Sequence, residues 1–208
     1  MLVNEKYTSG EYYHVYNRNL SGLKTLKNGE NCHRFLELMR FYQLFETPCS
    51  YSQLLDHTKR SKTSIECFME YGNAGHKKWV EITAYCLMPN HFHFILHQIE
   101  DNGISVFLNN VLNGFSRYYN LKNDRKGTLW IGRTKNVHIK NDAHLLEESR
   151  YIHRNPVKAG LAKKPSDWSY SSYGEYIGTA DPQKRLCNTS IILESDLGNY
   201  KNFVEMDL

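Results

Sequence analysis

Hydrophobic and polar positions along this chain predict four strands and three helices. The run Tyr12-Tyr13-His14-Val15-Tyr16-Asn17 is aromatic and β-branched and reads as a strand. After a turn-rich stretch from Asn19 to Gly29, Phe35, Leu36, Leu38, Met39, Tyr42 and Phe45 recur near the helical period, which predicts an amphipathic helix over about 32–45. Residues 49–77 are polar and weakly periodic and read as a partly helical insertion or long connection. Trp79 to Met88 is a buried strand, Pro89-Asn90 a turn, and His91 to His97 a second strand, so the two pair as a hairpin. Val106, Phe107, Val111, Leu112, Phe115 and Tyr118 mark a helix over 104–121. Val137 and Ile139 alternate in a strand over 134–139, and a helix follows over 143–154, capped by Asp142 and ended by Asn155-Pro156.

The order β-α-β-β-α-β is the ferredoxin-like arrangement, an α+β fold with an antiparallel sheet, here with a C-terminal helix appended. One domain is expected over residues 1–177, interrupted by the insertion at about 46–77. Residues 178–208 form a tail to which the sequence assigns no role. No internal repeat or low-complexity tract is present.

Composition narrows the class. A chain of 208 residues can bury the core of one domain but not of two full-size catalytic domains. No apolar run approaches the roughly 20 residues of a membrane span, and residues 1–6 lack the apolar stretch of a secretory signal, so a cytoplasmic protein is expected. The five cysteines contain no C-x-x-C pair and read as idle thiols, with no thiolate zinc site expected. Charge is uneven: from Arg117 to Lys164 twelve Lys or Arg face four Asp or Glu, giving +8 in a chain whose net charge is +4. Such a block is the footprint of a polyanion binder, or else a solvated basic face. The 15 tyrosines permit base stacking without demanding it.

Two clusters carry chemistry. Strand alternation puts His91 and His93 on one face and Phe92 and Phe94 on the other, so two imidazoles can converge on a divalent ion. Hydrogen-bonded surface histidines explain the same triplet. His97 shares the face but lies too far along to share the ion. Tyr151 and Asn155, at i and i+4, share one side of a helix and pair a phenol with a carboxamide. The competing reading is a packed tyrosine and a helix-capping asparagine.

The segments Ala84-Tyr85-Cys86-Leu87-Met88-Pro89-Asn90-His91-Phe92-His93, Gly127-Thr128-Leu129-Trp130-Ile131-Gly132-Arg133 and Arg150-Tyr151-Ile152-His153-Arg154-Asn155-Pro156-Val157-Lys158-Ala159-Gly160 resemble, in order, the HUH single-tyrosine transposases, in particular the REP-associated tyrosine transposase branch. His14-Val15-Tyr16-Asn17-Arg18 looks like that branch's opening strand, and Asp167 to Tyr173 like its W-x-x-S-S-Y ending. Residues 46–77 and those beyond about 177 have no counterpart in the pattern. The resemblance implies a ferredoxin-like core that binds single-stranded or hairpin DNA, with Tyr151 as nucleophile and His91, His93 and Asn155 as ligands of Mg²⁺ or Mn²⁺. The basic segment then finds a role: with Arg18, its Arg117, Lys122, Arg125, Lys126, Arg133 and Lys135 are candidates to hold the DNA backbone. Trp130 and Tyr118 are candidate stacking surfaces, with core packing of its loop the competing reading for Trp130. The resemblance further implies cut-and-rejoin chemistry through a 5′-phosphotyrosine in a monomer or homodimer, nucleoid-associated when DNA is bound. Tyr119, with Asn123 four residues on, is the rival nucleophile. A non-catalytic DNA- or RNA-binding regulator and a water-using metal phosphodiesterase are the alternatives.

Overall fold

The computed structural model describes residues 6–45, 47, 49–61, 77–194 and 199–206. Four strands, β1 (Tyr12–Arg18), β2 (Val80–Met88), β3 (His91–Gln98) and β4 (Lys135–Ile139), form one antiparallel sheet in the order β2-β3-β1-β4. That is the predicted ferredoxin-like topology, and the β2–β3 hairpin turns on Pro89-Asn90 as expected.

The sheet is covered on both faces, which is why β2 reads as a continuous apolar run rather than an alternating one. One face packs against α1 (Gly29–Tyr42) and α3 (Gly103–Lys122), with Val15, Phe35, Phe92, Phe94, Phe107 and Phe115 in the core between them. Between these helices in sequence, α2 (Tyr51–Ser61) buries Tyr51 and Leu54 against the same core. Residues 62–76 of the expected insertion lie outside the described residues, Cys67 among them. The four described cysteines, Cys32, Cys49, Cys86 and Cys187, are free thiols. Gly103 opens α3 against the Trp79 carbonyl, where a Cβ would fall within 2.2 Å of the oxygen. That oxygen already accepts the amides of Ile99 and Glu100, so only glycine fits.

The other face packs against α4 (Asp142–Lys158), whose Leu145 and Ile152 meet Ala84, Cys86, Ile95 and Ile139. Two expectations for this helix are corrected. Its cap is Asn141, which accepts the His144 amide, so Asp142 belongs to the first turn. It also runs through Asn155-Pro156 to Lys158. Proline removes one ladder bond, but Pro156 is buried, and the turn closes beyond it through Gly160, at φ 67°, and the amide of Leu161 bonded to the Pro156 carbonyl.

The described part of the 178–208 segment is shared between the layers: Leu186 joins the α1–α3 core, and the two helices after it join this second layer beside the short helix that precedes the segment. Helices α5 (Tyr173–Tyr176), α6 (Ser190–Leu193) and α7 (Tyr200–Glu205) contribute Tyr173, Tyr176, Ile192, Tyr200 and Val204 to the core of the second layer. Among the described residues no helix is long and apolar enough to cross a membrane.

Candidate active site

Register builds the site. On β3, His91 and His93 face α4, while Phe92 and Phe94 point into the α1–α3 core. Tyr16 of β1 stands opposite His93, and Arg18 opposite His91. The two imidazole centroids are 5.2 Å apart at 88°. From α4, the Tyr151 ring comes edge-on to His93 at 5.6 Å and to His14 at 5.9 Å. Tyr151 is 38% exposed at the rim, with Lys158 Nζ 5.3 Å from its ring centroid. The structure therefore brings the expected histidines and tyrosine together from two distant parts of the chain.

Both imidazoles suit metal ligation. Burial, with the charges of His14 and His91, pushes the His93 pKa down to about 3, and burial with Arg18 lowers that of His91. Each ring is thus neutral at pH 7, the form that offers a lone pair. His91 Nδ1 is 2.7 Å from Asn90 Oδ1 and donates to it, which leaves the Nε2 lone pair available to a ligand. His93 Nδ1 is engaged by His14 at 2.9 Å. Among the described residues no third His, Cys, Asp or Glu completes a metal-holding cluster. The remaining donor type is a carboxamide oxygen. Asn155 donates Nδ2 to the Tyr151 carbonyl at 3.0 Å, and its Oδ1 accepts no hydrogen bond from the described residues.

At the end of the sheet beside His91, a groove of about 520 Å³ is lined by Tyr16, Asn17, Arg18, Asn90, His91, Phe92, Ile131 and Lys135. Arg18 and Lys135 give it a positive wall, with Arg133 exposed close by in sequence. The other basic candidates stand elsewhere. Arg117 and Lys126 are exposed on α3 and the loop after it, in the layer across the sheet from Tyr151. Lys122 pairs with Glu30 and Tyr118, and Arg125 ties its own loop together through Asn120, Gly127 and Thr128.

Trp130 is a correction. It is 7% exposed, packs on Phe35, Phe92 and Phe115, and donates Nε1 to Ser116, so its ring is core rather than a stacking surface. Tyr118 is likewise tied down, donating to Glu30 beneath Arg34. Tyr119 packs beside Phe115 in the α1–α3 layer, across the sheet from the two histidines.

The sequence reading gave no role to His14, Glu148 and His153. His14 links His93 to Glu148, whose Oε2 lies 3.0 Å from His14 Nδ1. His153, fully buried, bonds Tyr200 at 2.7 Å and Ser172 at 2.8 Å and ties α4 to the C-terminal segment. Helical spacing of Glu148 from Tyr151 was a usable signal, but His14 needed the β1–β3 register.

No family model matches the chain. Two curated proteins do: one of Escherichia coli K12, named REP-associated tyrosine transposase, is 32% identical over 94 residues, 45% of this chain and 54% of that protein. One of Haemophilus influenzae, provisionally given the same name, is 28% identical over 103 residues, 45% of this chain and 58% of that protein. The chain thus matches little more than half the length of these relatives. A solved structure, of a REP-associated tyrosine transposase bound to a REP hairpin, superimposes with a TM-score of 0.57 at 19% identity, covering 90% of this chain and 92% of that one. In sequence over part of its length, and in fold over nearly all of it, the chain is similar to REP-associated tyrosine transposases.

Proposed function

We propose that this chain is a metal-dependent endonuclease and strand transferase for single-stranded or hairpin DNA, acting through a tyrosine–DNA intermediate as in transposition. The observation that carries the reading is the placement of the Tyr151 ring 5.6 Å from His93, at the rim of a site that also holds His91. The similarity to transposases, one of them bound to a hairpin, supports the same class of activity and partner.

In this reading Tyr151 Oη gives up its proton to solvent and attacks the scissile phosphorus, the P–Oη bond forms, and the P–O3′ bond breaks. The 3′-oxygen leaves with its electron pair and takes a proton, and the 5′-phosphate stays on the tyrosine. A free 3′-hydroxyl attacking the same phosphorus reverses the step, so a strand is rejoined without another energy source. A phenol of ordinary pKa near 10 is a weak nucleophile at neutral pH and needs electrostatic help. Mg²⁺ or Mn²⁺ would supply Lewis-acid polarisation of the phosphate when bound by His91, His93 and Asn155. Arg18 and Lys135 hold the flanking backbone in the groove, and Lys158 places a positive charge beside the tyrosine.

The test is incubation with single-stranded and hairpin oligonucleotides plus Mn²⁺, followed by denaturing separation and peptide mapping. A covalent adduct on Tyr151 is expected. Cleavage without an adduct would assign the attack to water, binding without cleavage would leave a regulator, and an adduct on Tyr119 would move the site.

A further inference from the structure

Helix α4 continues past a stop signal, and the turn gained beyond it carries a cation. The helix runs through Asn155-Pro156 to Lys158, although proline gives up one ladder bond. Lys158 then stands seven residues after Tyr151, two turns along the same stripe, with Asn155 between them. A long helical side chain leans toward the helix N-terminus. Lys158 accordingly reaches back along the stripe, and its Nζ lies 5.3 Å from the centre of the Tyr151 ring. It is exposed and enters no ion pair among the described residues. The two arginines of α4 are spent elsewhere: Arg150 and Arg154 both donate to the Met206 carbonyl, and Arg150 also lies over the Phe203 ring.

An ammonium on an exposed phenol ring is held weakly, and a lysine stem is flexible. A phosphodiester brought within bonding reach of Tyr151 Oη offers that ammonium a negative charge instead. We propose that Lys158 is a catalytic residue: when DNA binds, its ammonium moves from the Tyr151 ring to the non-bridging oxygens of the scissile phosphate. This role deepens the tyrosine reading above and rests on it. Those oxygens carry the charge of the transition state while the P–Oη bond forms and the P–O3′ bond breaks, and a fixed cation beside them lowers its energy. Lys158 keeps its own protons throughout, and the 3′-oxygen takes its proton from solvent. The run of α4 through Pro156 is what brings the cation there. A helix ending at Arg154 would leave Lys158 in the following loop, off the Tyr151 stripe.

Lys158 is exposed, so its variants are expected to fold as the wild type does. Two measurements test the proposal. In the metal-free protein, Lys158→Ala and Lys158→Gln are expected to shallow the salt dependence of single-strand binding by about 0.7 on the log–log slope, one phosphate's worth. With Mn²⁺ and saturating oligonucleotide, both are expected to form the Tyr151 adduct roughly 100-fold more slowly, and Lys158→Arg to recover part of that loss. An oligonucleotide with sulfur in place of the scissile 3′-oxygen has a leaving group that needs no proton, and the same loss is expected with it. Recovery of the wild-type rate on that substrate overturns the proposal, because it makes Lys158 the proton donor. An unchanged salt slope overturns it too, as does an adduct rate in Lys158→Gln within about threefold of wild type. Absence of a Tyr151 adduct in the wild type is a separate failure, which overturns the tyrosine reading and this role of Lys158 with it.

Discussion

Asn90 Oδ1 lies 2.7 Å from His91 Nδ1, across a single peptide unit at the tip of the β2–β3 hairpin. The turn residue and the first proposed ligand are thus one device, in which the hairpin places the ring and the amide sets its tautomer. Asn90 is exposed, so Asn90→Ala is expected to leave stability within about 0.5 kcal/mol of wild type. Mn²⁺ affinity is expected to drop roughly 10–100-fold. Asn90→Asp keeps an acceptor and should retain most of the affinity. Calorimetric titration of the three proteins checks the ordering.

The basic residues divide by position, and so should their effect on DNA binding. Arg18 and Lys135 wall the groove next to His91, whereas Lys122 is spent on Glu30 and Arg125 on its own loop. Affinity for single strands falls with salt at a log–log slope of about −0.7 per phosphate neutralised. Arg18→Ala with Lys135→Ala is expected to shallow the slope by roughly 1.4, two phosphates' worth. Lys122→Ala is expected to change it little. An equal effect of the two variants in a salt titration would place the DNA across α3 instead.

Strand alternation made the shared face of His91 and His93 legible, and the β-α-β-β-α-β order made the sheet legible, whereas the grouping of Tyr151 with the histidines was only what the family resemblance implied. What stayed hidden depended on partners distant in sequence. Trp130 carries the same indole whether it stacks on a base or on Phe92, and only its neighbours decide. Asn155-Pro156 is an ordinary stop signal, overridden here because Pro156 finds a buried seat and its helix closes one turn later. The +8 segment overstated free charge as well: Arg150 and Arg154 each donate to the Met206 carbonyl, at 3.2 and 3.1 Å, fastening the C-terminal segment to α4.

That fastening includes a buried titratable group. His153 is enclosed by Tyr173, Tyr176, Tyr200 and Ser172, bonded on both nitrogens, and burial pushes its pKa down to about 3. The unfolded chain takes up a proton on this ring near pH 6.5, while the folded chain resists it until about 3. Below the unfolded value the unfolded state binds the extra proton, so stability falls as pH drops through that window. The slope from one such group is about 1.4 kcal/mol per pH unit. Urea unfolding of wild type and His153→Gln between pH 7 and pH 4 is expected to show the wild-type slope steeper by that amount. Parallel curves would mean that His153 is protonated in the folded chain.

Tyr151→Phe separates the chemistry from the scaffold. The phenol sits at the rim, its hydroxyl takes no hydrogen bond from the described residues, and its ring packs edge-on to His14 and His93. Phenylalanine keeps the ring and those contacts, so stability is expected to stay within about 0.5 kcal/mol of wild type. Mn²⁺ affinity and hairpin binding are expected to hold as well, because the proposed ligands and the basic groove are untouched. Only the oxygen proposed as nucleophile is gone, so cleavage and the covalent adduct are expected to vanish together. If cleavage survives, water or another hydroxyl attacks. Tyr119 is the poorer substitute, since it lies in the α1–α3 layer with the whole sheet between it and His93.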